Sequence, residues 1–366
     1  MKKNKVIISG GGTGGHIFPA LAIARVLEKE LDNVEFLFVG AKDRMEMEKV
    51  PNAGYNIVGL WISGLQRGLD IRNLLFPFKL IYSIYYAKRI IKDFQPDLVI
   101  GTGGYASGPL IYVAAKKNIP SIIQEQNSYA GITNKILGKY VDKICVAYDK
   151  MERFFPFEKI MLTGNPIRDN ILDFDNKKLE GQKLFKIDKS KPTVLVVGGS
   201  LGALTINNAI ASNIQKFKSS GINLIWQTGV SFQDQAQQLV VDINVRGINA
   251  YTFIKNIDRA YAVADVIISR AGAIAIAELC YVGKPIILVP SPNVAENHQY
   301  KNAQSLVNKN AALLVEDAQA NCKLVETLRE LLADDSLKAS LSRNIKKIAV
   351  IDAADRIAKI ALDLVK

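Results

Sequence analysis

Residues 6–24 read VIISGGGTGGHIFPALAIA, and this stretch decides the fold. The apolar run that ends at Ile8 predicts a short buried strand, and the five glycines among the six residues after Ser9 predict a tight turn. The apolar residues after His16 recur at helical spacing, so we expect a helix to follow the turn. Strand, glycine turn and helix in this order indicate one unit of an α/β fold.

The same pattern recurs along the chain in two blocks. Near-continuous apolar strands alternate with helical segments, which is typical of a parallel sheet covered by helices on both faces. A polar stretch rich in Asp and Lys separates the blocks near residues 164–190, and a second strand, glycine turn and helix follows it. We therefore expect two Rossmann-like, doubly wound domains, residues 1–164 and 165–352. The apolar runs that predict strands are 5–8, 34–40, 97–104, 119–127, 192–197, 222–229, 266–273 and 285–290.

Polar and glycine-rich segments follow several of these strands. Ligands of doubly wound sheets bind beyond the carboxyl ends of the strands, where these segments fall. If the two halves present these edges to each other, they enclose a cleft, which suits a reaction between two substrates.

Composition narrows the function classes. The chain has 366 residues and a net charge of +12, which favours phosphates, nucleic acid or an anionic membrane as partners. No RNA- or DNA-binding motif accompanies the charge, so nucleic acid is not expected. The three cysteines show no pairing or metal spacing, and the apolar run near Met1 is too short for a signal peptide. We expect a cytoplasmic protein.

The first glycine turn formally matches the dinucleotide-binding pattern. Gly10, Gly12 and Gly15 have the dinucleotide spacing, but the second strand ends without the acidic residue that a nicotinamide ribose needs, and Asp43 lies past the turn. The Walker pattern fails because no Gly-Lys-Ser/Thr follows. What remains is a bare backbone that a substrate can approach, beside a helix N-terminus that favours negative charge.

His16 is one of two histidines in the chain. A histidine satisfied within the turn is one interpretation. Its place at the candidate active edge and an ordinary pKa near neutrality favour a general base instead.

Seven segments, taken in order, carry a resemblance to the MurG family of bacterial glycosyltransferases. The family transfers N-acetylglucosamine from its UDP donor to the 4-hydroxyl of undecaprenyl-diphospho-muramoyl-pentapeptide. The resemblance implies two Rossmann-like domains of the GT-B type, a metal-independent inverting mechanism, no cofactor, and a C-terminal helix, 353–366, that returns to the first domain. The segments are GGGTGGHIFPALAIA (10–24), GTGGYASGP (101–109), EQNSYAGITNK (125–135), GNPIR (164–168), GGSLGA (198–203), SRAGAIAIAE (269–278) and HQYKNA (298–303).

The resemblance assigns the donor to the second half of the chain. The glycine turn at 198–202 can offer backbone N–H groups and the Ser200 hydroxyl to the diphosphate, and Arg168 can reach the same charge. Glu278 is the one charged residue between Arg270 and Lys284, so it needs a partner. The resemblance gives it the ribose diol, and a buried ion pair with Arg270 is the alternative. Further donor contacts implied by the resemblance are Ile254 through its backbone, Ala273, Gln299 and, from the first half, Asn127.

The resemblance also assigns the acceptor chemistry to the first half. His16 is the expected base for the sugar hydroxyl, and Glu125 either orients that histidine or acts as the base itself. Thr13, Gly14, Gly15, Tyr105 and Asn134 are expected to bind substrate at the same edge. The sequence departs from the family pattern at Gln124, Leu201, Ala271 and Ala277, which concerns fine hydrogen bonding only.

One acidic segment bears on metal binding, and one apolar segment bears on membrane binding. Asp173 and Asp175 have DxD spacing but follow the turn at Pro166, and Arg168 makes a metal unnecessary. Residues 74–87 are apolar yet too short to span a bilayer. With the basic residues around them they favour a peripheral surface on the cytoplasmic face of the membrane; a core helix is the alternative. The membrane residues expected are Arg67, Arg72, Leu75, Phe76, Phe78 and Lys79.

Two rival functions share the expected architecture. A UDP-N-acetylglucosamine 2-epimerase would use the same donor without a lipid acceptor, and a glycolipid-forming transferase would use diacylglycerol. The pairing of GGTGGH with GGYASG favours the lipid-linked muramoyl acceptor by resemblance.

Overall fold

A computed structural model describes residues 3–64, 74–199 and 201–365. The chain folds into two compact units. The first comprises Met1–Ile167 and Val350–Lys366, and the second comprises Arg168–Ala349. Expected site residues Arg67, Arg72 and Ser200 lie outside the described residues.

Each unit is built on a parallel sheet. In the first unit seven described strands have the order β3-β2-β1-β4-β5-β6-β7, and in the second unit six have the order β10-β9-β8-β11-β12-β13. All described pairings are parallel. The strands are β1 Asn4–Gly10, β2 Val34–Ala41, β3 Ile57–Leu60, β4 Leu98–Gly103, β5 Ser121–Glu125, β6 Lys143–Val146, β7 Ile160–Leu162, β8 Thr193–Val197, β9 Asn223–Gln227, β10 Ile248–Tyr251, β11 Val266–Ser269, β12 Ile286–Leu288 and β13 Leu313–Leu314.

Helices connect successive strands and cover the sheets. Those of the described residues are α1 Gly14–Glu30, α2 Glu46–Asn52, α3 Phe76–Phe94, α4 Gly108–Lys116, α5 Ile132–Leu137, α6 Lys178–Leu184, α7 Leu204–Ser212, α8 Ile214–Ser219, α9 Gln233–Ile243, α10 Ile257–Val263, α11 Ala273–Val282, α12 His298–Val307, α13 Ala320–Ala333, α14 Asp335–Lys346 and α15 Ala353–Asp363. None of them is long and apolar enough to cross a bilayer.

The two sheets have the same strand topology, and within each sheet this topology determines which loops lie side by side. Chain order reverses between β1 and β4 in the first unit and between β8 and β11 in the second. The register pairs Ser9 with Gly101 and Val197 with Ser269, so the loops after these strands lie side by side. Such a switch point is the usual ligand site of a doubly wound sheet.

Burial on both sheet faces holds each unit together. Ile7 and Ile8 are fully buried and belong to two different apolar clusters, one on each face of the first sheet. Leu195 and Val196 do the same in the second sheet. Helix α15 packs in the first unit, where Ile357 joins the cluster that contains Ile8. The prediction of two doubly wound α/β domains is confirmed, although the strands β3, β6, β7, β10 and β13 were not predicted.

Candidate active site

The glycines of the first turn make room for groups of the protein itself. A Cβ on Gly10 would lie 2.0 Å from Thr102 Oγ1, and one on Gly11 would lie 2.0 Å from Glu46 Oε1. Gly12 has φ +87°, a conformation that favours glycine. Gly15 differs, because the nearest atom to its Cβ would be Thr13 Oγ1 at 3.6 Å. Only the end of the turn therefore offers an open backbone.

Glu46, at the start of α2, is fully buried beneath this turn. Its two carboxylate oxygens accept from the N–H of Gly12 at 3.1 and 3.0 Å, and Oε1 also accepts from the N–H of Ala41 at 3.0 Å. A buried carboxylate needs such donors. It also places a negative charge against Gly12, where the dinucleotide pattern would require the backbone to receive a phosphate.

His16 lies in the first turn of α1, partly buried at the switch point. Its Nδ1 is 3.0 Å from the carbonyl oxygen of Thr102 at the end of β4 and 3.1 Å from Gln126 Oε1 after β5. A backbone carbonyl can only accept, so Nδ1 carries the hydrogen and Nε2 is the basic nitrogen. This is the tautomer that a general base needs if it is to take a proton at Nε2.

The environment of His16 keeps the imidazole neutral. Burial lowers the pKa of His16 below its ordinary value of 6.5, while Thr102, Gln126 and the Glu46 carboxylate oppose that effect. A lowered pKa means that the base is already deprotonated at neutral pH.

The glycines of the second loop allow the close approach of this ring. A Cβ on Gly103 would lie 2.9 Å from His16 Nδ1, and one on Gly104 would lie 2.5 Å from the Gly11 carbonyl oxygen. Both residues have positive φ values, +97° and +79°. The sequence GTGG therefore serves the packing of His16.

Tyr105 follows these glycines and lies over the first turn. Its Cε1 would be 3.3 Å from a Cβ on Gly12. Burial raises the pKa of Tyr105, so the hydroxyl stays protonated and can donate. Thr13 is exposed, and Gly14 and Gly15 are partly exposed beside it. These four expected acceptor residues lie on one edge of the first unit.

Glu125 organises the loop after β5. One oxygen accepts from the backbone N–H and the side-chain amide of Asn127, at 3.0 and 3.2 Å. The other accepts from the N–H of Gly131 at 3.0 Å and from Asn134 Nδ2 at 2.9 Å. Burial raises the pKa of Glu125, against the effect of these bonds. A carboxylate with four donors already in place is suited to positioning Asn127 and Asn134, which leaves His16 as the better base.

The switch point of the second unit carries another glycine loop. Gly199 has φ +90°, and a Cβ there would meet no atom within 4 Å, whereas a Cβ on Gly202 would lie 2.0 Å from the Thr228 carbonyl oxygen. Gln227 links this loop to the end of β10: its Nε2 donates to the Gly199 carbonyl at 2.8 Å, and its Oε1 accepts from the N–H of Ile254 at 2.9 Å. The Ile254 N–H is thus already engaged, so a base-reading role would fall to its carbonyl.

Glu278 is paired with Arg168. Arg168 Nε and Nη2 each lie 2.6 Å from one oxygen of the Glu278 carboxylate, in a bidentate arrangement. Glu278 is 2 % exposed, and the hydroxyl of the buried Tyr261 also hydrogen-bonds to it. Burial disfavours the guanidinium charge, but Glu278 outweighs it and raises the pKa of Arg168.

The alternative that Glu278 pairs with Arg270 is wrong. Arg270 instead donates to the Asp317 carboxylate and, at 3.0 Å, to the carbonyl of Val289. Asp317 Oδ2 in turn accepts from Thr205 Oγ1 at 2.9 Å. Arg270 therefore ties β11 to the start of α7.

The remaining expected residues of the second unit fall at separate places. Ala273 is the first residue of α11 and 9 % exposed. Gln299 lies in the first turn of α12, where its Oε1 accepts from the N–H of Ser291 at 2.9 Å. Asp173 and Asp175 are exposed, on either side of the buried Phe174, and no group of three His, Cys, Asp or Glu within the described residues could hold a metal ion.

Comparison with known proteins gives the family. The glycosyltransferase family 28 N-terminal domain matches residues 6–146, and its C-terminal domain matches residues 193–357. The chain belongs to glycosyltransferase family 28. A relative from Parabacteroides distasonis is 50 % identical over 98 % of this chain and 97 % of its own length. It is named UDP-N-acetylglucosamine–N-acetylmuramyl-(pentapeptide) pyrophosphoryl-undecaprenol N-acetylglucosamine transferase.

Solved structures support the same family 28 assignment. The crystal structure of MurG from Acinetobacter baumannii has a TM-score of 0.77 and 26 % identity, over 98 % of this chain and 99 % of that one. A UDP-N-acetylglucosamine 2-epimerase has a TM-score of 0.61 and 13 % identity, over 97 % and 95 %, which shows a shared fold alone. The resemblance to the MurG family and the GT-B type of fold are confirmed.

The sequence analysis gave no role to four residues that support the candidate site. Glu46, Gln126, Gln227 and Tyr261 each hold an expected site residue or its loop in place. Nothing in the sequence around Glu46 or Tyr261 marks either residue, so only the fold distinguishes them. Gln126 and Gln227 carried a signal, since each is a polar residue directly after or at the end of an apolar strand.

Helix α3 of the family 28 chain presents an apolar face to solvent. Among the expected membrane residues, Leu75 is 51 % and Phe78 67 % exposed, while Phe76 and Lys79 are partly buried. Lys79 donates to Ser63 Oγ at 3.1 Å and lies 5.6 Å from the centre of the Trp61 ring. The opposite face of α3 buries Ala87, Ile90 and Ile91 in the first unit.

Proposed function

We propose that this chain transfers N-acetylglucosamine from UDP-N-acetylglucosamine to the 4-hydroxyl of undecaprenyl-diphospho-muramoyl-pentapeptide, a step of peptidoglycan synthesis. The observation that carries the proposal is the 50 % identity, over 98 % of this chain, to a protein named for that transfer. The chemistry of the two sheet edges supports it.

His16 Nε2 is the proposed base. It takes the proton of the acceptor hydroxyl as the hydroxyl oxygen bonds to the anomeric carbon of the donor. The bond from that carbon to the diphosphate oxygen breaks, and its electron pair leaves with UDP. Because attack and departure occur on opposite faces of the sugar, the configuration inverts.

The second unit is proposed to hold the leaving group. The helices α7 and α11, of 9 and 10 residues, begin at the carboxyl edge of its sheet, so their N-termini favour the charge that develops on the diphosphate. Arg168 adds a planar cation at Glu278, whose carboxylate is the proposed acceptor for the ribose hydroxyls. These groups supply the stabilisation that a metal would otherwise give, so we propose a metal-independent transfer without a cofactor. Asn127, Gln299, Ala273, the Ile254 carbonyl and Ser200 are the further donor contacts proposed.

Helix α3 is proposed to hold the protein at the cytoplasmic face of the membrane, where a lipid-linked acceptor resides. Residues spaced by three or four form one stripe along it, first apolar and then basic. The apolar members on the helix, Phe78, Ile81 and Tyr85, are 61 to 67 % exposed, and Leu74, just before the helix, is 69 % exposed. Lys88 and Lys92 continue the stripe and are exposed. Such a face suits an anionic leaflet, with apolar side chains among the acyl chains and lysines at the headgroups.

Product analysis tests the proposed reaction. The protein is incubated with radiolabelled UDP-N-acetylglucosamine, with and without the lipid-linked muramoyl-pentapeptide. We expect a β-linked disaccharide–lipid and free UDP only with the acceptor. Formation of the 2-epimer in the absence of acceptor would identify an epimerase instead, and transfer to diacylglycerol in place of the muramoyl lipid would identify a glycolipid-forming enzyme.

A further inference from the structure

We propose that Gln126 is a positioning residue that fixes the tautomer and the orientation of the His16 imidazole. The inference rests on the proposed function, in which His16 Nε2 is the base. It concerns a residue that does not itself reach the substrates and acts through His16.

The contacts of the imidazole are the first argument. Nδ1 lies between two oxygens, the Thr102 carbonyl at 3.0 Å and Gln126 Oε1 at 3.1 Å. Two acceptors on one ring nitrogen stabilise the tautomer with hydrogen on Nδ1 and disfavour the other, which would set a lone pair against two oxygens. They also define the plane of the ring, because the N–H must point between them.

A closed network of buried amides fixes the direction of the Gln126 side chain. Its Nε2 donates to the Thr102 carbonyl at 2.6 Å and to Gln124 Oε1. Gln124 Nε2 donates to Asn165 Oδ1 at 2.8 Å, and Asn165 Nδ2 returns to the Gln126 carbonyl at 2.9 Å. Reversing the Gln126 amide would place its oxygen against two acceptors and its nitrogen against the Nδ1 hydrogen. Its Oε1 therefore has to face His16.

The network is held in one arrangement because its residues are buried. Gln124, Gln126, Asn165 and Thr102 are at most 5 % exposed. Buried polar groups whose partners are all provided by the protein hold one arrangement, since any other leaves a donor or acceptor unpaired. The residues of the EQN segment thus have different roles: Glu125 orders the loop that carries Asn127, and Gln126 orients the proposed base, His16.

The charge of the reacting imidazole explains why a neutral amide suits this position. When Nε2 accepts a proton, the ring becomes a cation, and the two oxygens at Nδ1 stabilise it as dipoles. Glu46, on α2, is the one described ionisable group whose charge acts on His16, and it is also held by the turn. A carboxylate in place of the Gln126 amide would add a negative charge at Nδ1 and would keep the ring protonated over more of the pH range.

Nitrogen NMR of the imidazole tests the positioning independently of catalysis. The full chain is labelled with ¹⁵N-histidine; it has two histidines, so a His16→Gln sample assigns the signals. In the wild type at pH 8 we expect one fixed tautomer, with hydrogen on Nδ1. Gln126→Met removes one of the two acceptors and leaves the Thr102 carbonyl. We therefore expect nitrogen shifts displaced part of the way towards the other tautomer and a kcat lower by roughly ten- to hundredfold, at unchanged KM for the UDP-sugar. Gln126→Glu keeps an oxygen at Nδ1 but sets its other oxygen against the Thr102 carbonyl and Gln124 Oε1. We expect it to keep the single tautomer and to raise the imidazole pKa, at the cost of a lower unfolding temperature.

Ser121→Ala is the matched control, because Ser121 is buried at the start of β5, the strand that Gln126 follows, and its hydroxyl bonds only to Asp142 among the contacts described. It removes a buried hydrogen bond without touching His16, so wild-type imidazole shifts are expected. Wild-type shifts in Gln126→Met, or equal changes in Ser121→Ala, would overturn the positioning role. If the wild type transfers no sugar, the proposed function fails, while the imidazole spectra still decide the role of Gln126.

Discussion

Arg168 and Glu278 are 110 residues apart in the chain and share two hydrogen bonds of 2.6 Å. The carboxylate is buried, and the arginine side chain is 31 % exposed. Both are proposed to contact the nucleotide donor, Arg168 at the diphosphate and Glu278 at the ribose. The pair orients both side chains and compensates a charge that would be costly to bury alone.

Removing the arginine of this pair is expected to destabilise the protein. In Arg168→Met the Glu278 carboxylate stays buried with Tyr261 as its remaining described partner, a loss of about 3–5 kcal/mol for a broken buried pair. Differential scanning calorimetry should show a lower unfolding temperature, by several degrees. Arg329→Met is the control, since Arg329 is exposed on α13 and should leave that temperature unchanged.

A second substitution tests whether the lost stability comes from the uncompensated Glu278 charge or from the lost hydrogen bonds. In Arg168→Met with Glu278→Gln no charge is left buried, so the double variant should recover part of the lost unfolding temperature. It should still bind UDP more weakly than the wild type in calorimetry. A double variant that is as unstable as Arg168→Met would contradict the argument from the uncompensated charge.

The pH dependence of the transfer should follow His16. Because burial lowers the pKa of His16, the acid limb of kcat/KM against pH should have its midpoint below 6.5, and activity should be lost as the imidazole is protonated. The same shift acts on folding: the unfolded chain binds the proton more readily, so this contribution to stability is present above pH 6.5 and is lost as the pH falls. Rate profiles and thermal unfolding over pH 5–8 measure the two effects.

His16→Gln should lower kcat by roughly 10²- to 10⁴-fold, the usual contribution of a general base. The KM for UDP-N-acetylglucosamine should change little, because the proposed donor groups are mostly in the second unit. An equal loss of kcat and of donor affinity would contradict the role as base.

Two glycines of the first turn provide a matched pair of variants. Gly11→Ala places a methyl group 2.0 Å from the buried Glu46 carboxylate, so unfolding temperature and activity should both fall. Gly15→Ala meets no atom closer than 3.6 Å and replaces a helical glycine, so stability should be kept or rise slightly. If substrate approaches the backbone there, Gly15→Ala should lose activity while remaining folded. A fully active Gly15→Ala would remove Gly15 from the proposed site.

Sequence periodicity was sufficient for the central strands and the loops after them. The predicted runs 5–8, 97–104, 119–127 and 192–197 are largely apolar, and glycines or polar residues lie at or just after their ends. Edge strands such as β13, with two residues, bury little and have no comparable pattern. For this reason the sequence predicted the carboxyl ends of the central strands, where the candidate sites lie, but did not predict every strand of the two sheets.

The partner of Glu278 illustrates what the sequence could not give. Composition alone required a partner for a carboxylate in an apolar helix, and that requirement is met. Arg270 was the alternative because it is near in sequence, but pairing depends on the fold, which brings Arg168 to α11 and Asp317 to Arg270. Glu46 is a second case, since its burial follows from two glycines that are far apart in the sequence, Gly11 in the first turn and Gly40 in β2.

The apolar stripe of α3 should decide membrane binding. Phe78 is 67 % exposed, and inserting its ring into the acyl boundary contributes on the order of 1–2 kcal/mol. Phe78→Ser should therefore reduce co-sedimentation with phosphatidylglycerol vesicles by roughly tenfold while sparing transfer to a short-chain soluble acceptor. Phe157→Ser is the control, because Phe157 is 79 % exposed in the same unit but outside α3. Lys79→Glu should weaken binding mainly at low salt, as expected for attraction to an anionic surface. Equal loss of vesicle binding in Phe78→Ser and Phe157→Ser would show that exposed apolar area in general, and not this face of α3, governs association with the membrane.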